Sequence, residues 1–388
     1  MSLDIQAINA IAEDAVTWRH KIHQNPELAF EEFETASFVK LVLEDANIKV
    51  TANFAGTGVI GTLTKGKGPT IALRADMDAL PLQEETGLTY SSKNKGKMHA
   101  CGHDGHTSML LAAATYLSKH GNFKGTIHFI FQPAEENEAG ARAMIEAGLF
   151  EKFPVDAVYG MHNWPELPPG TIAAKSGPQM AAFDTFEITV TGKGCHAAMP
   201  HLGRDPILAA CQIVTSLQSV TRFAAPPTET AVVSVTQIIG GDTWNAIPDD
   251  VVIRGCTRHF TAQVQTNIEN WIGGICGNIS AAYEVNASLN YEKRYPAVIN
   301  SVRETKIALE VAALINAPDM IQSKFSPSMA SEDFAFMLQE VPGCYIWMGN
   351  GEGKGGCMLH NPRYDFNDDI IQKGMSYWIK LTEKCLPV

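Results

Sequence analysis

Between residues 57 and 161 short apolar runs alternate with helical periods, and few folds accommodate that alternation. Runs at 57–64, 70–75, 125–131 and 156–161 read as strands, while 107–119 and 139–147 read as helices. Helix 107–119 is expected to be capped near Asp104 or Thr107 and closed by Gly121. Two amphipathic helices, 5–23 and 31–47, precede them. Strands and helices in this order form a sheet covered on both faces. Near residue 184 the pattern changes. Residues 184–191 alternate like a half-exposed strand, followed by helix 204–222, strands 230–239 and 251–259, helix 262–283 and strand 286–293. That β-α-β-β-α-β order is the order of a ferredoxin-like unit with an antiparallel sheet. After Pro296 the first style returns, with helices 301–315 and 331–339, strand 344–348 and helix 368–384. The expected fold is an α/β domain (1–183 and 297–388) with a mixed, mostly parallel central sheet. An α+β ferredoxin-like domain, 184–296, interrupts it.

A chain of 388 residues is long enough for two such domains. Its net charge of -12 argues against a nucleic-acid partner, since no basic face compensates. The segment Met1-Ser2-Leu3-Asp4-Ile5 lacks the basic and apolar regions of a secretory signal, and no apolar run is long enough to span a membrane. The 8 cysteines are scattered without a C-x-x-C pair, which suits reduced thiols and a cytoplasmic location.

The densest chemistry lies in Met98-His99-Ala100-Cys101-Gly102-His103-Asp104-Gly105-His106-Thr107. A thiol beside three imidazoles suits a transition-metal site, structural or catalytic. Cys101 and His103 are two apart, so in an extended segment both side chains point to one side and can chelate. His99 and His106 are secondary ligand candidates, with helix capping or support behind the ligands as the other reading. Further donors stand downstream. Glu135 and Glu136 follow strand 125–131 after Pro133, which stops the ladder. His162 follows strand 156–161, and His360 follows strand 344–348 across the glycine-rich loop 349–356. Open α/β sheets bind ligands beyond the carboxyl ends of their strands, where all these donors are expected. Adjacent carboxylates on an irregular segment diverge, so one can hold metal while the other moves a proton. The alternative is two solvated acids at a helix start, favoured by its dipole.

The run Arg74-Ala75-Asp76-Met77-Asp78-Ala79-Leu80-Pro81, together with His99 to His106, resembles the aminoacylase-like metallopeptidase family. More narrowly it resembles the amidohydrolase branch: hippurate hydrolases, N-acyl-amino-acid deacylases and indole-3-acetyl-amino-acid hydrolases. Further matching motifs are Arg19 to Leu28, Phe131 to Glu136, Gly160-Met161-His162 and Cys195 to His201. Gly241 to Pro248, Ser331-Glu332-Asp333-Phe334 and Leu359-His360-Asn361-Pro362 extend the likeness over nearly the whole chain. The resemblance implies two divalent ions, Zn, Mn, Co or Ni, liganded by Cys101, His103, Glu136, His162 and His360. It implies Glu135 as the general base, taking a proton from a metal-bound water. Relatives outside the branch have a His ligand where this chain has Asp76, which leaves Asp76 and Asp78 behind the ligands at most. The outer domain becomes the metal-binding catalytic domain, and the inserted domain a lid and dimerisation module. Family analogy puts His196 near the scissile carbonyl as an oxyanion donor, in a homodimer joined through the lids. Asn245 and Arg258 are the expected binders of the substrate carboxylate, Arg258 because a guanidinium fork suits that anion.

The expected activity is hydrolysis of the amide in an N-acyl amino acid. A metallo-dipeptidase or aminopeptidase is the alternative of the same class. A non-catalytic binding module on this scaffold is the alternative of another class, and it is expected to lack the ligands or base that this chain carries.

Overall fold

The computed structural model describes residues 4–136, 138–352 and 357–388, so part of the loop 349–356 lies outside the described residues. The chain divides into two compact units. The larger comprises 1–179, 299–326 and 333–388; the smaller comprises 180–298 and 327–332. Residues 327–332 thus group with the smaller unit, although the expected helix 331–339 would have kept 331 and 332 in the larger. The helix itself is Phe334–Glu340.

The larger unit is built on an eight-stranded sheet. Its order is Lys49–Phe54, Gly58–Lys65, Gly125–Gln132, Thr70–Asp76, Ala157–Trp164, Gly343–Gly349, Ile172–Ala173 and Ile321–Gln322. The four strands from Gly125–Gln132 to Gly343–Gly349 run parallel; Gly58–Lys65 joins one side antiparallel and Ile172–Ala173 joins the other antiparallel, itself pairing parallel with Ile321–Gln322. Ala157–Trp164 and Gly343–Gly349 are buried at every position, as near-continuous apolar runs must be when helices cover both sheet faces. One core spans the sheet and the helices Ile5–Gln24, Phe33–Asp45, His103–His120, Val302–Ile315 and Ile371–Cys385. Because the central strands are parallel, Asp76, Gln132, Trp164 and Gly349 end at the same edge. The chain segments that follow them gather there.

The smaller unit pairs Ala231–Ile239, Asp250–His259, Ala182–Thr191 and Asn286–Tyr295, in that order, all antiparallel. Ala182–Thr191 alternates strictly between buried and partly exposed positions. Its inward Phe186, Ile188 and Val190 pack with Ile213 and Ile268 of the helices Pro206–Leu217 and Ala262–Tyr283. This is the ferredoxin-like arrangement. The expected helix 204–222 is two helices, Pro206–Leu217 and Val220–Ala224. The edge strand Lys49–Phe54 was not expected, because its alternation is weak and its positions are only partly buried.

Candidate metal centre

Helix His103–His120 begins earlier than the periodicity implies. Its N-cap is Gly102, in the left-handed region at φ 91, and no side chain caps it. Asp104 and Thr107 are committed elsewhere: Asp104 Oδ2 accepts from His23 Nδ1 at 2.8 Å, and Thr107 Oγ1 donates to the Asp76 carbonyl at 2.7 Å. The chain from Cys101 to His103 therefore runs through a left-handed turn at Gly102, which glycine adopts without penalty, rather than as an extended chelating segment, and the two side chains fall in different donor groups. His162 likewise lies inside its strand, which continues to Trp164.

The donors converge. Ligand atoms of Cys101, Glu136 and His360 lie within 4.8 Å of one another, as do those of His103, Glu135 and Glu136. Cys101 Sγ is 3.4 Å from His162 Nε2, and His360 Nε2 is 3.0 Å from Glu136 Oε1. All six residues belong to the larger unit. Cys101, His103, Glu135 and His162 are buried, whereas the His360 side chain is 53% exposed.

Groups behind these candidate donors orient their rings. His103 Nδ1 lies 2.9 Å from the Asp78 carbonyl, which can only accept, so Nδ1 donates and Nε2 is the nitrogen left for the cluster. In the Asp78 side chain, Oδ1 lies 3.2 Å from the same His103 nitrogen and Oδ2 accepts from the Glu136 backbone N–H at 2.9 Å. His162 Nδ1 donates to the Asn163 carbonyl at 2.6 Å, again leaving Nε2 inward. His106 differs. Its Nδ1 donates to Asp76 Oδ1 at 2.6 Å and its Nε2 accepts from the Asn163 N–H at 2.9 Å, so neither nitrogen is free for a metal despite its proximity. His99 is buried outside the cluster, and burial pushes its imidazole down to about 4.

The loop carrying Glu135 and Glu136 is held at both ends. Arg74, fully buried, donates to Gln132 Oε1 (2.8 Å), Asp76 Oδ2 (2.6 Å) and Asp333 Oδ1 (3.0 Å). Asp333 Oδ2 accepts from the Ala141 N–H at 2.8 Å beyond the loop. Ala134, at φ 54, donates its N–H to Glu32 Oε1 at 2.8 Å. Burial raises the Glu32 carboxyl to about 7.

The electrostatics fit a divalent cation. Burial pushes the Cys101 thiol well above its ordinary range, and the carboxylates of Glu136 and Glu135 push it further. Burial also disfavours charge on His103, yet Asp76 and Asp78 raise it to about 10. His162 is held neutral by burial and by the neighbouring His106. A thiol and two carboxylates converge, and the rise at His103 shows how strongly this anionic cluster favours positive charge. His103 Nε2 is buried with no hydrogen-bond partner among the described residues. A pair of divalent ions supplies both needs, so the donor set fits them.

In the smaller unit, His196 and Asn245 come close together. His196 pairs with Ala246 across the short strands Cys195–His196 and Ala246–Ile247, and the Asn245 carbonyl accepts from the Ala197 N–H at 2.9 Å. Both side chains are exposed. Arg258 is not with them. It lies toward the far end of Asp250–His259, stacked over Phe183 at 4.3 Å and donating to Ser331 Oγ at 3.1 Å. Sequence reasoning assigned no role to Gln132, Asn163, Asp333 or Tyr364. The motifs containing Gln132 and Asp333 were visible, but nothing local reveals a partner some two hundred residues away.

Comparison with known proteins places the chain in a family. The family profile described as Peptidase family M20/M25/M40 matches residues 72–384. The N-acetyl-L-cysteine deacetylase of Bacillus subtilis is 39% identical, over 98% of this chain and 89% of its own length. The hippurate hydrolase of Campylobacter jejuni is 41% identical over 95% of each chain. Among solved structures, the Bacillus subtilis YXEP protein, described as a dinuclear metal binding peptidase from the M20 family, superposes with a TM-score of 0.84. It is 36% identical, covering 96% of this chain and 98% of that one. The chain belongs to peptidase family M20/M25/M40, in its amidohydrolase branch.

Proposed function

We propose that this hydrolase cleaves the amide bond of N-acyl amino acids, releasing a carboxylic acid and a free amino acid. The observation that carries the reading is the convergence of Cys101, His103, Glu135, Glu136, His162 and His360 at one sheet edge. The N-acetylcysteine and hippurate activities named for the relatives support the substrate class. Cys101, His103, Glu136, His162 and His360 are the proposed ligands of two divalent ions, which when bound supply Lewis acidity toward an acyl oxygen and toward water. Glu135 is the proposed base. It takes a proton from the attacking water as the oxygen bonds the acyl carbon, and returns it to the departing amine nitrogen as the C–N bond breaks. His196, Asn245 and Arg258 are proposed as substrate-handling residues on the sequence resemblance alone.

The reading includes a homodimer joined through the smaller unit. Its support is an open sheet edge, Ala231–Ile239, with Ile238 and Ile239 exposed, and exposed Ile207 and Leu208 on helix Pro206–Leu217. Sedimentation of the purified chain as a monomer would remove it. A cytoplasmic location is proposed from the 8 free cysteines; among the described residues no helix is long and apolar enough to cross a membrane. The activity is tested with metal-loaded protein on N-acetyl, N-benzoyl and indole-acetyl amino acids beside plain dipeptides. Turnover of N-acyl amino acids is expected. Hydrolysis of dipeptides alone would favour the peptidase alternative.

A further inference from the structure

Asn163 is fully buried immediately after His162, and each of its hydrogen-bonding groups is used on a segment that carries a proposed ligand. Its backbone N–H donates to His106 Nε2, and its carbonyl accepts from His162 Nδ1. In the side chain, Nδ2 donates to the Cys101 carbonyl at 2.6 Å, and Oδ1 accepts from the Tyr364 hydroxyl at 2.6 Å. The amide orientation is unambiguous, because a carbonyl can only accept. Tyr364 is itself buried, and its backbone N–H donates to the Asn361 carbonyl, so it belongs to the turn that leaves His360.

The contact reaches the Cys101–His103 turn directly. A Cβ placed on Gly102 would lie 2.3 Å from Asn163 Nδ2 and 2.7 Å from the Tyr364 hydroxyl. The amide and the phenol thus fill the space that glycine leaves open. His360 needs such a tether. Its side chain is largely exposed, its backbone stands in the left-handed region at φ 62, and its own N–H makes one bond, to the Ala100 carbonyl at 2.8 Å.

We propose that the Tyr364–Asn163 pair is a positioning relay, which sets the Cys101 sulfur against His162 and couples the His360 segment to that geometry. Metal retention is then set in part by two residues that touch no metal. The inference rests on the metal-site reading above and goes beyond it by naming what holds the thiolate in place. Groups that orient ligands from behind typically change metal affinity ~10–100-fold when removed.

The test is Co²⁺ binding to the full-length metal-free chain, followed through thiolate-to-cobalt charge-transfer absorption and by chelator competition. Tyr364→Phe removes one hydroxyl and keeps the ring, so it should fold; Asn163→Ala and the double variant complete a cycle. Wild type should show the thiolate band. Each single variant should show a weakened or shifted band and a Kd raised ~10–100-fold. The double variant should bind little worse than Asn163→Ala alone, because the two residues act in series. Metal-free Tm for Tyr364→Phe should stay within a few degrees of wild type. A wild type without the band would reject the metal-site reading itself. A wild-type band that both folded variants reproduce, with unchanged Kd, would overturn the relay alone. Strictly additive losses, or a fall in metal-free Tm with unchanged Kd, would overturn it as well.

Discussion

Two neighbouring carboxylates with different surroundings are expected to fail differently when neutralised. Glu136 has its N–H fixed by Asp78 and its oxygen 3.0 Å from His360, among the ligand atoms. Glu135 is buried beside it, with its oxygen near a ring nitrogen of His103 and a carboxylate oxygen of Glu136. Glu135→Gln keeps the shape but cannot accept a proton, so kcat should fall ~10²–10⁴ while metal content stays unchanged. Glu136→Gln should lose metal first, and activity with it. Elemental analysis beside kinetics separates the two, and identical behaviour would refute the division of roles. Glu135, Glu136, His162 and His360 were legible in sequence because each follows an apolar run whose strand character is strong, and Cys101 and His103 because donors are so dense around them. Asn163, Tyr364 and Asp333 were not, because their roles consist of hydrogen bonds to residues remote in sequence. The same holds for His106: only its two committed nitrogens remove it from the ligand set.

At the scale of elements, the start of helix His103–His120 shows how local rules give way to tertiary ones. Asp104 reads as a cap, but it is spent on helix Ile5–Gln24, where His23 Nδ1 lies 2.8 Å and Arg19 Nη1 3.4 Å from Oδ2. This fully buried contact ties the N-terminal helix to the turn that presents His103. Burial alone would lower the His23 imidazole, but the hydrogen bond and charge of Asp104, with help from Glu84, raise it to about 9. A His raised in the folded state stabilises fully below its unfolded value of about 6.5, and the contribution is lost as pH rises through the folded value. Stability should therefore decline between about pH 6.5 and 9, by at most ~3.4 kcal/mol. Urea unfolding across that window should show the decline in wild type and a flatter profile in His23→Gln. A flat wild-type profile would contradict the assignment.

For the whole molecule, periodicity carried the architecture because both sheets have strong signatures. The smaller unit's inward and outward residues alternate, and the larger unit's central strands Ala157–Trp164 and Gly343–Gly349 are continuously buried. What periodicity could not carry were the two-residue strands Ile172–Ala173 and Ile321–Gln322, too short to show a repeat, and the unit boundary at 327–332. The same architecture sets what metal removal does. The larger unit's core runs through the sheet and five helices, and of the proposed ligands only Cys101 belongs to it. Chelation should therefore abolish turnover while far-UV circular dichroism stays near its starting value. Binding to the folded state alone still adds RT ln(1 + [L]/Kd), about 4 kcal/mol at a thousandfold excess over Kd. For a unit of this size each kcal/mol moves Tm by roughly 2–4 °C, so the metal-free protein should melt roughly 8–16 °C lower. Returning Zn²⁺, Mn²⁺, Co²⁺ or Ni²⁺ in turn should restore both Tm and turnover, and the ion that restores turnover best identifies the working metal. Loss of the far-UV signal on chelation would mean that the fold depends on the ions, contrary to a core that closes without them.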